Sequence, residues 1–80
     1  MSLLSVLMDA SVLGAGLATL SAAIVVVGAA FGISKIGASA LDAISRQPQA
    51  ANDIRMSMIV VAALIEGAAL FAIVVCLLAL

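Results

Sequence analysis

Two stretches without charge decide what this chain can become. Ala10 to Ser34 runs 25 residues with no charged side chain, and Met56 to Leu80 repeats that length with one interruption, Glu66. As helices at about 1.5 Å per residue, each reaches roughly 37 Å, enough to cross a hydrocarbon core of about 30 Å with some tilt. Composition agrees: 68% of residues are hydrophobic and 9% are charged, whereas a soluble domain is about one-quarter charged. The two spans use up most of the chain, leaving nothing to form a water-soluble domain. The expected fold is an all-α membrane protein, a two-helix transmembrane hairpin.

The break between the spans is marked by Arg46-Gln47-Pro48-Gln49, which holds the only proline. Proline removes a helical donor and restricts the residue before it, so the first helix should end at or before Gln47. Helix one is expected over about 5–45, a loop over about 46–51, and helix two over about 52–79, capped by Asn52 or Asp53. So short a connection makes the helices antiparallel neighbours. Asp42 and Arg46 stand four apart, where opposite charges meet on a helix face. Lys35, Arg46 and Arg55 all flank the loop and neither terminal segment has a cationic side chain. The positive-inside rule then puts the loop in the cytoplasm and both termini outside.

Within helix one, Leu13, Leu17, Leu20, Ile24, Val27 and Phe31 make a bulky stripe at three- and four-residue spacing. Gly14, Ala15, Ala18, Ser21, Ala22, Gly28, Ala29 and Gly32 fall mostly off it and form a face of small residues, interrupted near Val25 and Val26. Small residues let backbones approach closely in lipid, where packing drives association. A hairpin this short has little core of its own, so self-assembly is expected.

Several functions are excluded. Three cations cannot make a basic patch, so nucleic acid is not an expected partner. Cys76 is the only cysteine, so no internal disulfide can form, and its apolar setting reads as a small buried hydrophobe. There is no histidine, no base beside Cys76 and no grouping of acids for a metal. No catalytic constellation or cofactor is expected, and the chain is not read as an enzyme. With no basic residue before Lys35 and an apolar run longer than a signal core, the first span reads as retained.

Glu66 is the exception that carries chemistry. It lies 13 residues after Asp53 and 14 before Leu80, near the middle of helix two, where a charge costs about 2.5–3.5 kcal/mol on insertion scales. No Lys or Arg of the chain is expected at that depth; Arg55 is about 16 Å away along the axis. Desolvation disfavours the charged form, so the acid is neutral whenever it faces lipid. It ionises only where it meets water or a cation from another subunit. A group with those two states can load a proton in one place and release it in another.

The hairpin, the Arg46-Gln47-Pro48 loop, the small-residue first helix and Glu66 twenty residues after Arg46 together resemble the c-subunit family of the F-type ATP synthase, in its bacterial form. The resemblance covers essentially the whole chain. It implies a closed homo-oligomeric ring of identical copies, with helix one inside and helix two outside, in a bacterial inner membrane among membrane lipids. It implies a proton-translocating rotor in which Glu66 is protonated and deprotonated as the ring turns against the stator a-subunit and its arginine. Arg46, Gln47 and Pro48 would contact the central stalk. The family's first-helix glycines fall here on Val26, Gly28, Ala30, Gly32 and Ser34, so Gly28, Ala30 and Gly32 are the ring-packing candidates.

The transported ion is expected to be H⁺. Sodium-binding members carry a first-helix glutamine and a hydroxyl directly after the carboxylate; those positions are Ile33 and Gly67 here, and the hydroxyl-bearing aromatic of some members is Phe71. A hard cation wants several oxygen ligands, and only Ser34 is near. The alternative is a small pore-forming or holin-like peptide with Glu66 lining a channel. A ring with Glu66 on its outer face separates the rotor from that reading.

Overall fold

A computed structural model describes all residues, Met1–Leu80. Helix α1 spans Leu3–Arg46, a three-residue 3₁₀ turn spans Pro48–Ala50, and helix α2 spans Ala51–Leu78. The two helices fold back on each other as an antiparallel hairpin about 70 Å long and 16 Å wide between Cα positions.

Each boundary has a local cause. Ser2 caps α1: its hydroxyl accepts from Ser5 N–H at 3.2 Å, and Ser5 Oγ accepts from Ser2 N–H at 3.1 Å, which satisfies donors the helix itself cannot. Inside the span, Thr19 and Ser21 donate their hydroxyls to the carbonyls of Ala15 and Leu17 at 2.9 and 2.8 Å, so neither presents an unpaired polar group to lipid. Gln47, at φ −132° and ψ 71°, leaves helical geometry immediately before Pro48, as the proline ring requires. Pro48 then starts the 3₁₀ turn, where its missing N–H costs nothing.

The start of α2 differs from expectation. Neither Asn52 nor Asp53 is the cap: Ala50 holds that position without any side-chain hydrogen bond, and Asn52 Oδ1 accepts instead from Arg55 at 3.3 Å. The reason is the turn before it. Ala50 N–H donates to the Gln47 carbonyl and Ala51 N–H to that of Pro48, so α2 grows directly out of a turn already wound in its direction. Asp53 falls in the first helical turn, where a negative charge favours the dipole.

Arg46, in the last turn of α1, pairs with Asp42 at 3.4 Å, with both side chains well exposed at 76% and 62%. Such a pair contributes little. Asp42→Ala is expected to shift hairpin stability by less than about 0.5 kcal/mol, read as an unchanged thermal dissociation midpoint.

The helices meet along a narrow seam. On α1 the half-buried positions include Ala22, Val25, Ala29, Gly32 and Ile36; on α2 they include Met58, Ala62, Ile65, Ala69, Ala72 and Cys76. Both series alternate three and four residues, the spacing of a left-handed two-helix seam. The small face of α1 is thus used first inside the hairpin, while the bulky stripe points away from α2, with Leu13, Ile24 and Phe31 at 65%, 62% and 65% exposure. Only Ala40 is buried outright. A fold with so little interior depends on lipid and on further helices to cover its surface.

Candidate functional site

Glu66 is positioned by its neighbour. Ile65 faces α1 so closely that a Cβ added to Gly32 would lie 3.5 Å from Ile65 Cδ1. One residue on, Glu66 is rotated by about 100° around the helix, which takes it out of the seam and onto an exposed flank of α2. Its carboxyl has no hydrogen bond and no ion pair within the chain. It does not glue the two helices together. Gly67 beside it leaves open space, so the approach to the carboxyl from that flank is unobstructed by its own chain.

The Ile65–Gly32 contact also fixes heights. Glu66 stands level with Phe31 of α1, and Lys35 is one helical turn nearer the loop. Lys35 thus stands nearer to Glu66 in height than Arg55 does, one turn toward the loop. The turn explains why: counting eleven residues back from Arg46 gives Lys35, and eleven forward from Ala51 gives Ala62, four short of Glu66. Lys35 does not pair with Glu66 inside the hairpin, because the two sit on opposite flanks. Its Nζ lies over the Phe31 ring, 5.3 Å from the centroid, a favourable cation–π placement. From the sequence, Lys35 serves only as a marker of orientation. The outward count from the turn is the signal that finds it.

The other candidates separate into three places. Arg46, Gln47 and Pro48 form one end of the rod, all exposed, with Arg46 tied to Asp42. Gly32 belongs to the seam, and with Gly28 it lines a shallow groove against Ile65 and Ala68. Ala30, two residues from Gly28 and so roughly 200° around the helix, is exposed away from that groove. Of the positions that bear on the ion, Ile33 is half-buried toward the seam while Ser34 and Phe71 are exposed.

Comparison with known proteins gives one consistent answer. The family model for the ATP synthase C-subunit matches residues 10–79. An ATP synthase c-subunit of Phocaeicola vulgatus is 61% identical over 82 aligned positions, covering 98% of this chain and 96% of that protein. One of Bacteroides thetaiotaomicron is 59% identical, covering 95% and 94%. A more distant one, of Ruminiclostridium cellulolyticum, is 42% identical, covering 80% of this chain and 88% of its own length. No solved structure matches the chain.

Proposed function

The chain belongs to the ATP synthase C-subunit family, and on that premise we propose that Glu66 is the proton carrier of a rotor ring. It is a membrane rotor subunit of an ATP synthase, and that membership favours the rotor over the pore-forming reading. Copies of the hairpin close into a ring with α1 inside and α2 outside, and the ring turns against a stator subunit whose arginine meets each carboxylate in turn. Arg46, Gln47 and Pro48, at the exposed end of the rod, meet the central stalk. Nucleotide chemistry belongs to other subunits. The loop end, which gathers Arg46 and Arg55, lies in the cytoplasm of a bacterium, and both termini lie on the outer side.

The observation that carries this reading is the unpartnered carboxyl of Glu66, presented sideways from α2 far from either end of the span. A carboxyl locked inside the hairpin could not exchange its proton. This one can. In lipid it holds the proton and is neutral, which removes most of the cost of a charge at that depth. Beside the stator arginine the opposite charge favours the carboxylate, and the proton leaves to water in the adjoining half-channel. Rotation carries the next loaded copy in. Gly28 and Ala30, on opposite flanks of α1, suit a ring in which one flank of each copy packs on the other flank of the next.

The donor set favours H⁺ over Na⁺. Ile33 and Gly67 supply no side-chain oxygen where a sodium site needs one, and a proton needs only the carboxyl. The test is labelling of the assembled ring with a hydrophobic carbodiimide. Glu66 is expected to react faster at low pH, because the protonated acid is the reactive form, and millimolar sodium is expected to give no protection. Labelling spread evenly over all four acids would remove the carrier role. Protection by sodium would overturn the choice of ion.

A further inference from the structure

Two opposite charges near the loop have no ion pair in their own hairpin. Arg46 takes Asp42 in the chain's one salt bridge. Arg55 makes a single side-chain bond, from Nη1 to Asn52 Oδ1 at 3.3 Å, which leaves most of its N–H donors unused. The Asp53 carboxylate accepts no hydrogen bond and meets no cation. Both residues are exposed, yet they cannot satisfy each other within one chain. Two residues apart on α2, they are rotated by about 200° and leave the helix on opposite flanks. Asp53 lines the loop end of a groove between the helices, together with Ser39 and Ser57. Ser57 and Ala68 are eleven residues apart, about 20° of rotation, so the groove at Gly28 and Ala68 lies on that same flank. Arg55 stands on the other one, within about 20° of the Glu66 stripe.

Resting on the ring reading, we infer that Arg55 of one copy pairs with Asp53 of the next. Every interface in a closed ring of identical copies is head-to-tail, so the groove flank of each hairpin faces the Arg55 flank of its neighbour. Rotation about the ring axis keeps heights equal. Asp53 and Arg55 differ by two residues, about 3 Å along the axis, which the long arginine side chain spans. Other partners are taken or out of reach. Asp42 is held by Arg46, and Glu66 is about 16 Å from Arg55 along the axis. Lys35 is about 13 Å from Asp53 along the axis, with its ammonium over Phe31. At about 16 Å from Glu66, Arg55 lies just past half of a 30 Å hydrocarbon core, at headgroup level, where one exposed pair contributes little. The ring repeats the pair at every interface. Its main effect is direction: a groove flank set against another groove flank would oppose Asp53 to Asp53. Only the head-to-tail contact brings unlike charges together, so the pair fixes which flank meets which.

Replacing the guanidinium by an amine makes this contact linkable. In assembled Arg55→Lys rings, a water-soluble carbodiimide converts the Asp53 carboxyl to an O-acylisourea. The new ammonium gives one proton to solvent, its nitrogen attacks the acyl carbon, an amide forms, and the substituted urea leaves with a second proton. Rings built from a mixture of isotopically light and heavy chains are expected to give a ladder of linked chains. Its peptide map should join position 55 of one isotope to Asp53 of the other, and adding Asp53→Asn should remove that link. A charge swap tests the same contact without chemistry. Asp53→Arg alone sets cation against cation at every interface and should lower the yield of intact rings by about tenfold, since like charges across an interface are costly. Adding Arg55→Asp to that chain should recover most of the yield. Intact rings whose position 55 links to Asp42, links only within one chain or does not link would overturn the pairing and leave the ring standing, as would a double swap no better than the single one. Wild-type chains that form no ring would overturn both.

Discussion

Glu66→Gln is expected to assemble into a ring of normal size and to abolish proton-driven ATP synthesis, down to the level of membranes without the complex. Glutamine matches glutamate in shape and keeps its hydrogen-bonding capacity. It also carries no charge, so insertion at mid-span is not harder than for the native acid. What it loses is the ability to take up and release a proton. If transport runs through this one side chain, nothing else in the span can replace it: Asp42 and Asp53 lie toward the loop, and Asp9 lies near the start of α1. Gel mobility of the intact ring checks assembly, and ATP formation in energised vesicles checks function. Normal synthesis by an assembled mutant ring would remove Glu66 from the mechanism.

Gly28→Leu is expected to have the opposite effect, leaving an inserted hairpin that does not close into a ring. Within one hairpin a Cβ at Gly28 meets nothing within 4 Å, so the first carbon of a side chain there is accommodated without disturbing the seam. It does fill the groove between Gly28 and Ala68, on the flank where the neighbouring copy packs. Close approach of helices in lipid depends on such small positions. Gly32→Ala is the internal control. Its new Cβ would touch Ile65 Cδ1 at 3.5 Å, an ordinary contact, so ring yield should remain close to wild type. A Gly28→Leu ring of normal yield would mean that the groove is not an interface between copies.

The fold was legible because its causes are local. Two charge-free runs require two spans, and Pro48 requires a break. The bulky stripe from Leu13 to Phe31 and the small face beside it are visible in the sequence, and the hairpin shows that the stripe is the side turned away from α2. The cap of α2 was not legible. Asn52 and Asp53 have the chemistry of caps, but the backbone bonds of the Pro48 turn made a side-chain cap unnecessary. The depth of Lys35 was missed for a different reason. Axial distance along one helix says nothing about the other helix until the turn fixes their offset. Once the hairpin closes, α1 loses its apolar character one turn from the level of Glu66, while α2 stays apolar for several more residues toward the loop. That mismatch places Lys35 level with apolar residues of α2, with its ammonium over the Phe31 ring.

For the site, the sequence identifies Glu66 by its cost, and the structure adds its direction. Ile65 is held against Gly32, so the next residue must point sideways. Neither fact follows from composition, but both follow from seven-residue periodicity once the seam is known. The small residues of α1 divide in the same way. Ala22, Ala29 and Gly32 bring the two helices of one hairpin together, and Gly28 and Ala30 are left on opposite flanks.

Proton conduction through the ring–stator complex in vesicles, driven by an imposed membrane potential and followed as Glu66 is progressively modified by carbodiimide, tests the carrier role most directly. Every copy must pass the stator for the ring to turn fully, so conduction should fall to the passive leak when about one copy per ring has reacted. Sustained conduction through rings in which every Glu66 is blocked would contradict the account.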